Sequence, residues 1–193
     1  MGKFNNKIVL ITGAGKGTGR RVAELFAAQG ATLAVADVTP VNLDETVARV
    51  RAAGGEVKDY VTDIAKKLPI QGLFNQVLDD FGRIDILVNC AEVEPQKIVL
   101  EMDEWDWVRT LDVNLTGAFL LTQSAGRIMK EQGGGVIIHV GSRPKGPEKR
   151  AAYFASKAGL EAILKTAADE FAAYGIRVLL ADSAETALEA CAQ

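Results

Sequence analysis

A chain of 193 residues that is 48% hydrophobic and 24% charged has the makeup of one globular domain spanning residues 1–193, long enough to bury a full core. A net charge of −3 excludes the basic footprint of a nucleic-acid binder, and no apolar run approaches the ~18 residues of a membrane span. Cys90 and Cys191 lack metal-ligand spacing and read as free thiols of a cytoplasmic protein with no metal site.

Along the chain, short β-rich runs alternate with helical stretches. Strands are expected at Lys7–Thr12, Ala31–Asp37, Glu56–Asp63, Ile84–Asn89, Gly135–Gly141 and Ile176–Asp182. Four of these are nearly continuous apolar runs, the pattern of parallel strands covered on both faces. Helices are expected at Thr18–Gln29, Leu43–Ala53, Ile70–Phe81, Trp105–Gln132 and Ala151–Tyr174, several closed by glycine. Strict βαβα alternation predicts an α/β, Rossmann-like, doubly wound parallel sheet with right-handed crossovers. The Pro- and charge-rich segment Arg143–Arg150 is expected to be a loop.

The first strand runs into "TGAGKGTG", with Gly13, Gly15, Gly17 and Gly19 at the entry to the first helix. Residues without Cβ let the backbone approach a pyrophosphate, and the helix start offers free N–H groups and a positive dipole end. The second strand ends at Asp37, where a carboxylate can accept from ribose hydroxyls and would repel a 2′-phosphate. That favours NAD over NADP, against the positive charge of Lys16, Arg20 and Arg21 nearby. Further on, Tyr153 and Lys157 lie four residues apart, one helical turn on one face. A cation so placed favours the phenolate and draws the tyrosine toward acid–base work at ordinary pH.

Together these residues resemble the short-chain dehydrogenase/reductase family: "TGAGKGTG" fits its glycine turn, "YFASK" its Y-x-x-x-K, and "VNLTG" (Val113–Gly117) its N-x-x-G. The resemblance implies strand order 3-2-1-4-5-6 for the strands present and hydride exchange between a nicotinamide and a ketone or secondary alcohol. It assigns catalysis to Tyr153 as acid or base, Lys157 as its partner, Ser142 on the substrate oxygen and Asn114 on a relay water. It assigns the cofactor to Gly13, Lys16, Gly17, Thr18, Gly19, Asp37, Asp63, Ile64, Asn89 and Ala91, with Tyr153 and Lys157. It also implies a homodimer through helices Asn114–Gln132 and Ala151–Tyr174. His139 is expected to be structural, Trp105 and Trp107 to be packing residues, and Glu92–Lys97 to be a solvated loop.

Four departures from the family pattern stand out. "NCAE" (Asn89–Glu92) replaces N-N-A-G, so Glu92 puts a charged side chain where the family has glycine close to the cofactor; it would swing outward or weaken binding. Ser142 precedes Tyr153 by 11 positions, a shorter interval than the family pattern; aligning on Gly146 instead would place Arg143 at the serine. Ser183-Ala184 stand where the family has Pro-Gly, and the sequence ends at Gln193, so a seventh strand and substrate lid are expected to be missing. The last strand then becomes an edge, to be covered by the tail or a partner chain, with "AETALEACAQ" forming one short helix. These departures keep open an alternative: a dinucleotide-binding relative with little turnover, acting as a regulatory or partner subunit.

Overall fold

The computed structural model describes residues 2–141, 146 and 148–192. Its strands are β1 (Ile8–Thr12), β2 (Thr32–Asp37), β3 (Glu56–Val61), β4 (Ile86–Asn89), β5 (Gly135–Val140) and β6 (Ile176–Ala181). Its helices are α1 (Gly17–Ala28), α2 (Pro40–Ala52), α3 (Lys67–Phe81), α4 (Glu104–Leu111), α5 (Ala118–Gln132), α6 (Ala151–Phe171) and α7 (Ala184–Cys191). All strands are parallel, in the order β3-β2-β1-β4-β5-β6.

Period-2 alternation explains how each strand feeds both faces. In β1, Val9 and Ile11 point into one apolar core with α1, α2 and α7, while Leu10 points into the other with α3, α5 and α6. All three are fully buried, each contributing roughly 1.5–3 kcal/mol by leaving water. The sheet order reverses between β1 and β4, and the carboxyl ends of those strands open the crevice where such folds take ligands.

The helix boundaries differ from the sequence reading in instructive ways. Pro40 opens α2 three residues earlier than expected, because its fixed φ suits a first turn. The long helix expected over Trp105–Gln132 is broken into α4, a π-helical turn at Asp112–Gly117, and α5. Asp103, which caps α4, accepts from the Asp106 N–H at 2.8 Å, and Gly117 lies against the Ile64 carbonyl so closely that a Cβ would come within 2.4 Å of it.

Trp105 is 72% exposed and Trp107 39%, so neither is the packing residue expected. The tail forms α7 as expected, and Ser183 and Thr186 close a reciprocal cap at its start. That helix folds back beside α1, where Arg21 meets Glu185 at 3.1 Å. It covers a face of the sheet and leaves the outer edge of β6 without a strand among the described residues.

Candidate active site

A cleft of about 520 Å³ opens at the crevice between β1 and β4. Gly13, Lys16, Gly17, Thr18 and Gly19 form one wall, Asp37, Asp63 and Ile64 another, and Ala91, Glu92, Val93 and Gly141 close the far end. Gly13 has φ +70°, and a Cβ there would stand 2.5 Å from the Ala91 nitrogen, so only glycine lets the turn pass the exit of β4. At Gly15 the same closeness lets Asp37 Oδ2 accept from the Gly15 N–H at 2.9 Å, while Asp37 Oδ1 accepts from Thr39 N–H at 2.9 Å. No side chain caps α1, so its first N–H groups face the cleft uncapped.

The positive charges that argued against NAD are mostly committed elsewhere. Arg20 donates to the Gly15 and Asn42 carbonyls and to Thr46 and pairs with Glu45 at 2.9 Å, bracing the turn against α2. Arg21 is paired with Glu185, which leaves Lys16 exposed at the cleft. Asp63 is bonded by Arg109 at 3.2 Å and by the Ala65 N–H at 3.0 Å. Burial opposes its ionisation, but these two partners outweigh burial and hold its carboxyl below the usual range. Arg109 was not foreseen, since a lone arginine on an amphipathic helix carries no motif.

Beneath the cleft lies a buried polar row. Thr12 donates to Asn89 Oδ1 at 2.6 Å, and the Ala91 N–H reaches the same oxygen at 3.2 Å. That orients the amide so that Asn89 Nδ2 donates to His139 Nδ1 at 3.0 Å. The imidazole hydrogen is therefore on Nε2, directed at Thr122 Oγ1 at 2.8 Å, and Thr122 donates onward to the Ala118 carbonyl. Burial, with the Lys157 charge nearby, lowers the His139 pKa to about 3. Asn89, assigned to the cofactor, is 4% exposed and does not line the cleft; it holds the floor beneath Ala91. Cys90 does line the cleft, and burial together with the Glu92 charge pushes its thiol far up, away from thiolate chemistry.

Tyr153 and Lys157 stand one turn apart on α6, and both reach a single group. Tyr153 Oη donates to Glu92 Oε2 at 3.0 Å, and Lys157 Nζ lies 2.8 Å from the same oxygen. Lys157 Nζ also lies 5.1 Å from the Tyr153 ring centroid. Glu92 thus turns toward the pair, which corrects the outward swing, while its segment is the solvated loop expected, with Glu92, Glu94 and Gln96 exposed. Tyr153 is 1% exposed, and neither it nor Lys157 lines the cleft; Glu92 does.

The backbone around Glu92 is clamped. Asn114, within the π-helical turn, accepts from the Val93 N–H and donates to the Val93 carbonyl, both at 2.9 Å, and donates to Ser156 at 3.2 Å. Its side chain is turned to this clasp. Glu94 pairs with Arg150, and the Lys97 N–H donates to the Lys149 carbonyl at 2.9 Å. Ser142 lies outside the described residues, as does Arg143, its alternative.

A glycine turn opening a helix at the switch point of a 3-2-1-4-5-6 sheet defines the doubly wound, dinucleotide-binding class. The family model described as short chain dehydrogenase matches residues 7–188, and the chain belongs to that family of oxidoreductases, whose members bind a nicotinamide dinucleotide. An uncharacterized oxidoreductase of Thermotoga maritima is 40% identical over 177 residues, covering 91% of this chain and 70% of that protein. Among solved structures, NAD+-bound xylitol dehydrogenase is 36% identical with a TM-score of 0.88, over 92% of this chain and 70% of that one. A metagenomic short-chain oxidoreductase in complex with NADP is 28% identical with a TM-score of 0.93, over 99% of this chain and 93% of that one. No helix among the described residues is long and apolar enough to cross a membrane, and no group of three His, Cys, Asp or Glu among them could hold a metal ion.

Proposed function

We propose that the chain binds NAD(H) in the cleft and exchanges a hydride with a ketone or secondary alcohol, with Tyr153 as the acid or base. The observation that carries this reading is the convergence of Tyr153 Oη and Lys157 Nζ on Glu92 Oε2, a residue that lines the cleft shared with the glycine turn. The residues suit such a cofactor. The uncapped start of α1 fits a pyrophosphate, Asp37 fits ribose hydroxyls, and the Gly13 contact with Ala91 keeps the floor open. When bound, the nicotinamide supplies or accepts the hydride.

Tyr153 gives its phenolic proton to the carbonyl oxygen as the alcohol forms and takes it back in the reverse direction. Lys157 sets the charge beside the phenol, Asn114 fixes the segment facing it, and Ser142 is kept as the proposed partner of the substrate oxygen. The preference for NAD over NADP rests on Asp37 and on the commitment of Arg20 and Arg21 to other partners. A homodimer through helices 114–132 and 151–174 belongs to the same reading, and a groove between α5 and α6 lined by Phe119, Ile163 and Phe171 supports it.

A second reading, dinucleotide binding with little turnover, is favoured by Glu92 lying on the acid–base pair. Fluorescence titration with NADH and NADPH, followed by a carbonyl screen with the tighter one, separates the two. The first reading expects NADH to bind more tightly, Asp37→Ser to narrow the gap, and Tyr153→Phe to bind normally but lose about 100-fold or more in turnover. Binding without turnover, unchanged in Tyr153→Phe, establishes the second reading. Absence of binding refutes both.

A further inference from the structure

We propose that Glu92 is an internal latch: its bridge to Tyr153 and Lys157 and productive occupation of the site exclude each other, so this chain rests in a closed state that ligands must open. The inference rests on the dinucleotide-binding reading above and concerns the control of that site.

The chemistry of one oxygen makes the case. A phenol has a single hydrogen, and that of Tyr153 is directed at Glu92 Oε2. A substrate carbonyl can receive it only by displacing a carboxylate, which is the stronger acceptor because it is charged. In the oxidising direction Tyr153 must act as a phenolate, which would face the Glu92 carboxylate across 3.0 Å, like charge against like. Lys157 is engaged by the same oxygen at 2.8 Å, so its charge is spent on the protein and not on a ligand. The bridge therefore opposes both directions of the reaction.

Position supports the same conclusion. Glu92 lines the cleft whereas Tyr153 and Lys157 do not, so the carboxylate stands between the cleft and the pair. A Cβ built on Gly141 would lie 2.5 Å from Lys157 Nζ and 3.7 Å from Glu92 Oε2, which packs the bridge tightly against the end of β5. The flanking segment is held by Asn114 at the Val93 backbone, by the Lys149 carbonyl at the Lys97 N–H and by Arg150 at the Glu94 side chain, so opening falls to rotation of the Glu92 side chain, which is one-third exposed and lines the cleft. In such an equilibrium the apparent affinity of a ligand is reduced by the fraction of molecules that are open.

The test compares wild type with Glu92→Gln and Glu92→Ala, the first keeping shape and the second removing reach. Both variants are expected to bind NADH about tenfold more tightly, roughly the factor that one charge-assisted hydrogen bond is worth, and to reduce carbonyls faster. A second readout needs no cofactor. Tyrosinate absorbance, taken as the difference between each protein and its Tyr153→Phe counterpart, is expected to rise at lower pH in Glu92→Gln than in wild type.

Among the described residues, Lys157 on its own helix and Glu92 after β4 meet Tyr153, Cys90 lies near the charges of both, His139 on β5 lies near the Lys157 charge, and Glu94 two residues beyond Glu92 is paired with Arg150. Of these, burial holds Cys90 and His139 neutral, so a change in the titration reports Glu92. Variants that bind NADH no more tightly than a binding-competent wild type, or an unmoved tyrosine titration, overturn the latch alone. Failure of every protein to bind any dinucleotide overturns the functional reading and the latch with it.

Discussion

His139 is the one histidine of the chain, which makes the buried row under the cleft accessible to a clean measurement. Its pKa is about 3 in the folded protein against 6.5 for a free imidazole, and burial is the main cause. Above pH 6.5 the ring is neutral in both states, and the linkage costs nothing. Below that value the unfolded chain binds a proton that the folded chain refuses. Stability is therefore present above pH 6.5 and is lost as the pH falls toward 3, at about 1.36 kcal/mol per unit. Lowering the pH to 5 crosses 1.5 of those units and removes about 2 kcal/mol, a large share of the ~5–15 kcal/mol typical of a domain.

Urea denaturation at pH 7, 6 and 5 reads this directly. The wild-type midpoint should fall steadily across the series. His139→Gln should start lower, having lost the bonds to Asn89 and Thr122, but should lie nearly flat over the same range. Parallel slopes in the two proteins, or a single imidazole resonance titrating near pH 6.5 by NMR, would refute the reasoning.

Two further substitutions probe the floor and wall of the site. Gly13→Ala forces a left-handed residue, at roughly 1–2 kcal/mol, and drives a methyl group onto the Ala91 backbone; thermal unfolding should show a loss of about 2 kcal/mol or more, and unchanged stability would remove the need for glycine there. Asn114→Ala leaves the Val93 N–H and carbonyl without their partner, so a loss of about 2–4 kcal/mol and faster hydrogen exchange at Val93 are expected, with unchanged exchange as the contrary result.

The sheet was legible because its strands are short apolar runs at regular spacing, and local hydrophobicity suffices to place them. Strand order, the glycine turn and the terminal helix followed from the alternation and from the family resemblance. The π-helical turn at Asp112–Gly117 was not legible, since nothing in local propensity separates it from the helices on either side. The cap of α7 could have been read from Ser183 and Thr186. At the site, the sequence flagged Glu92 as a departure but could not give the direction of its side chain. That direction depends on where Tyr153 and Lys157 arrive, some 60 residues later in the chain. The same applies to Arg109 on Asp63 and to His139 on Asn89, pairs that exist only after distant elements meet.

The row of Thr12, Asn89 and His139 also governs how the sheet can assemble. The three residues are directly opposed across β1, β4 and β5, since Thr12 pairs with Asn89 and Asn89 with His139 in the strand register. Shifting β5 by one residue would set Ile138 or Val140 beside the Asn89 amide and turn the imidazole toward the apolar core shared with α1 and α7. Such a slip would bury two stranded polar groups, whereas the aliphatic residues around them would scarcely discriminate one alignment from another. The polar row thus works as a proofreading element of folding: it rejects mispaired strands that hydrophobic collapse alone would accept, and it does so at the floor of the cleft, where an error of one residue would cost the protein its site.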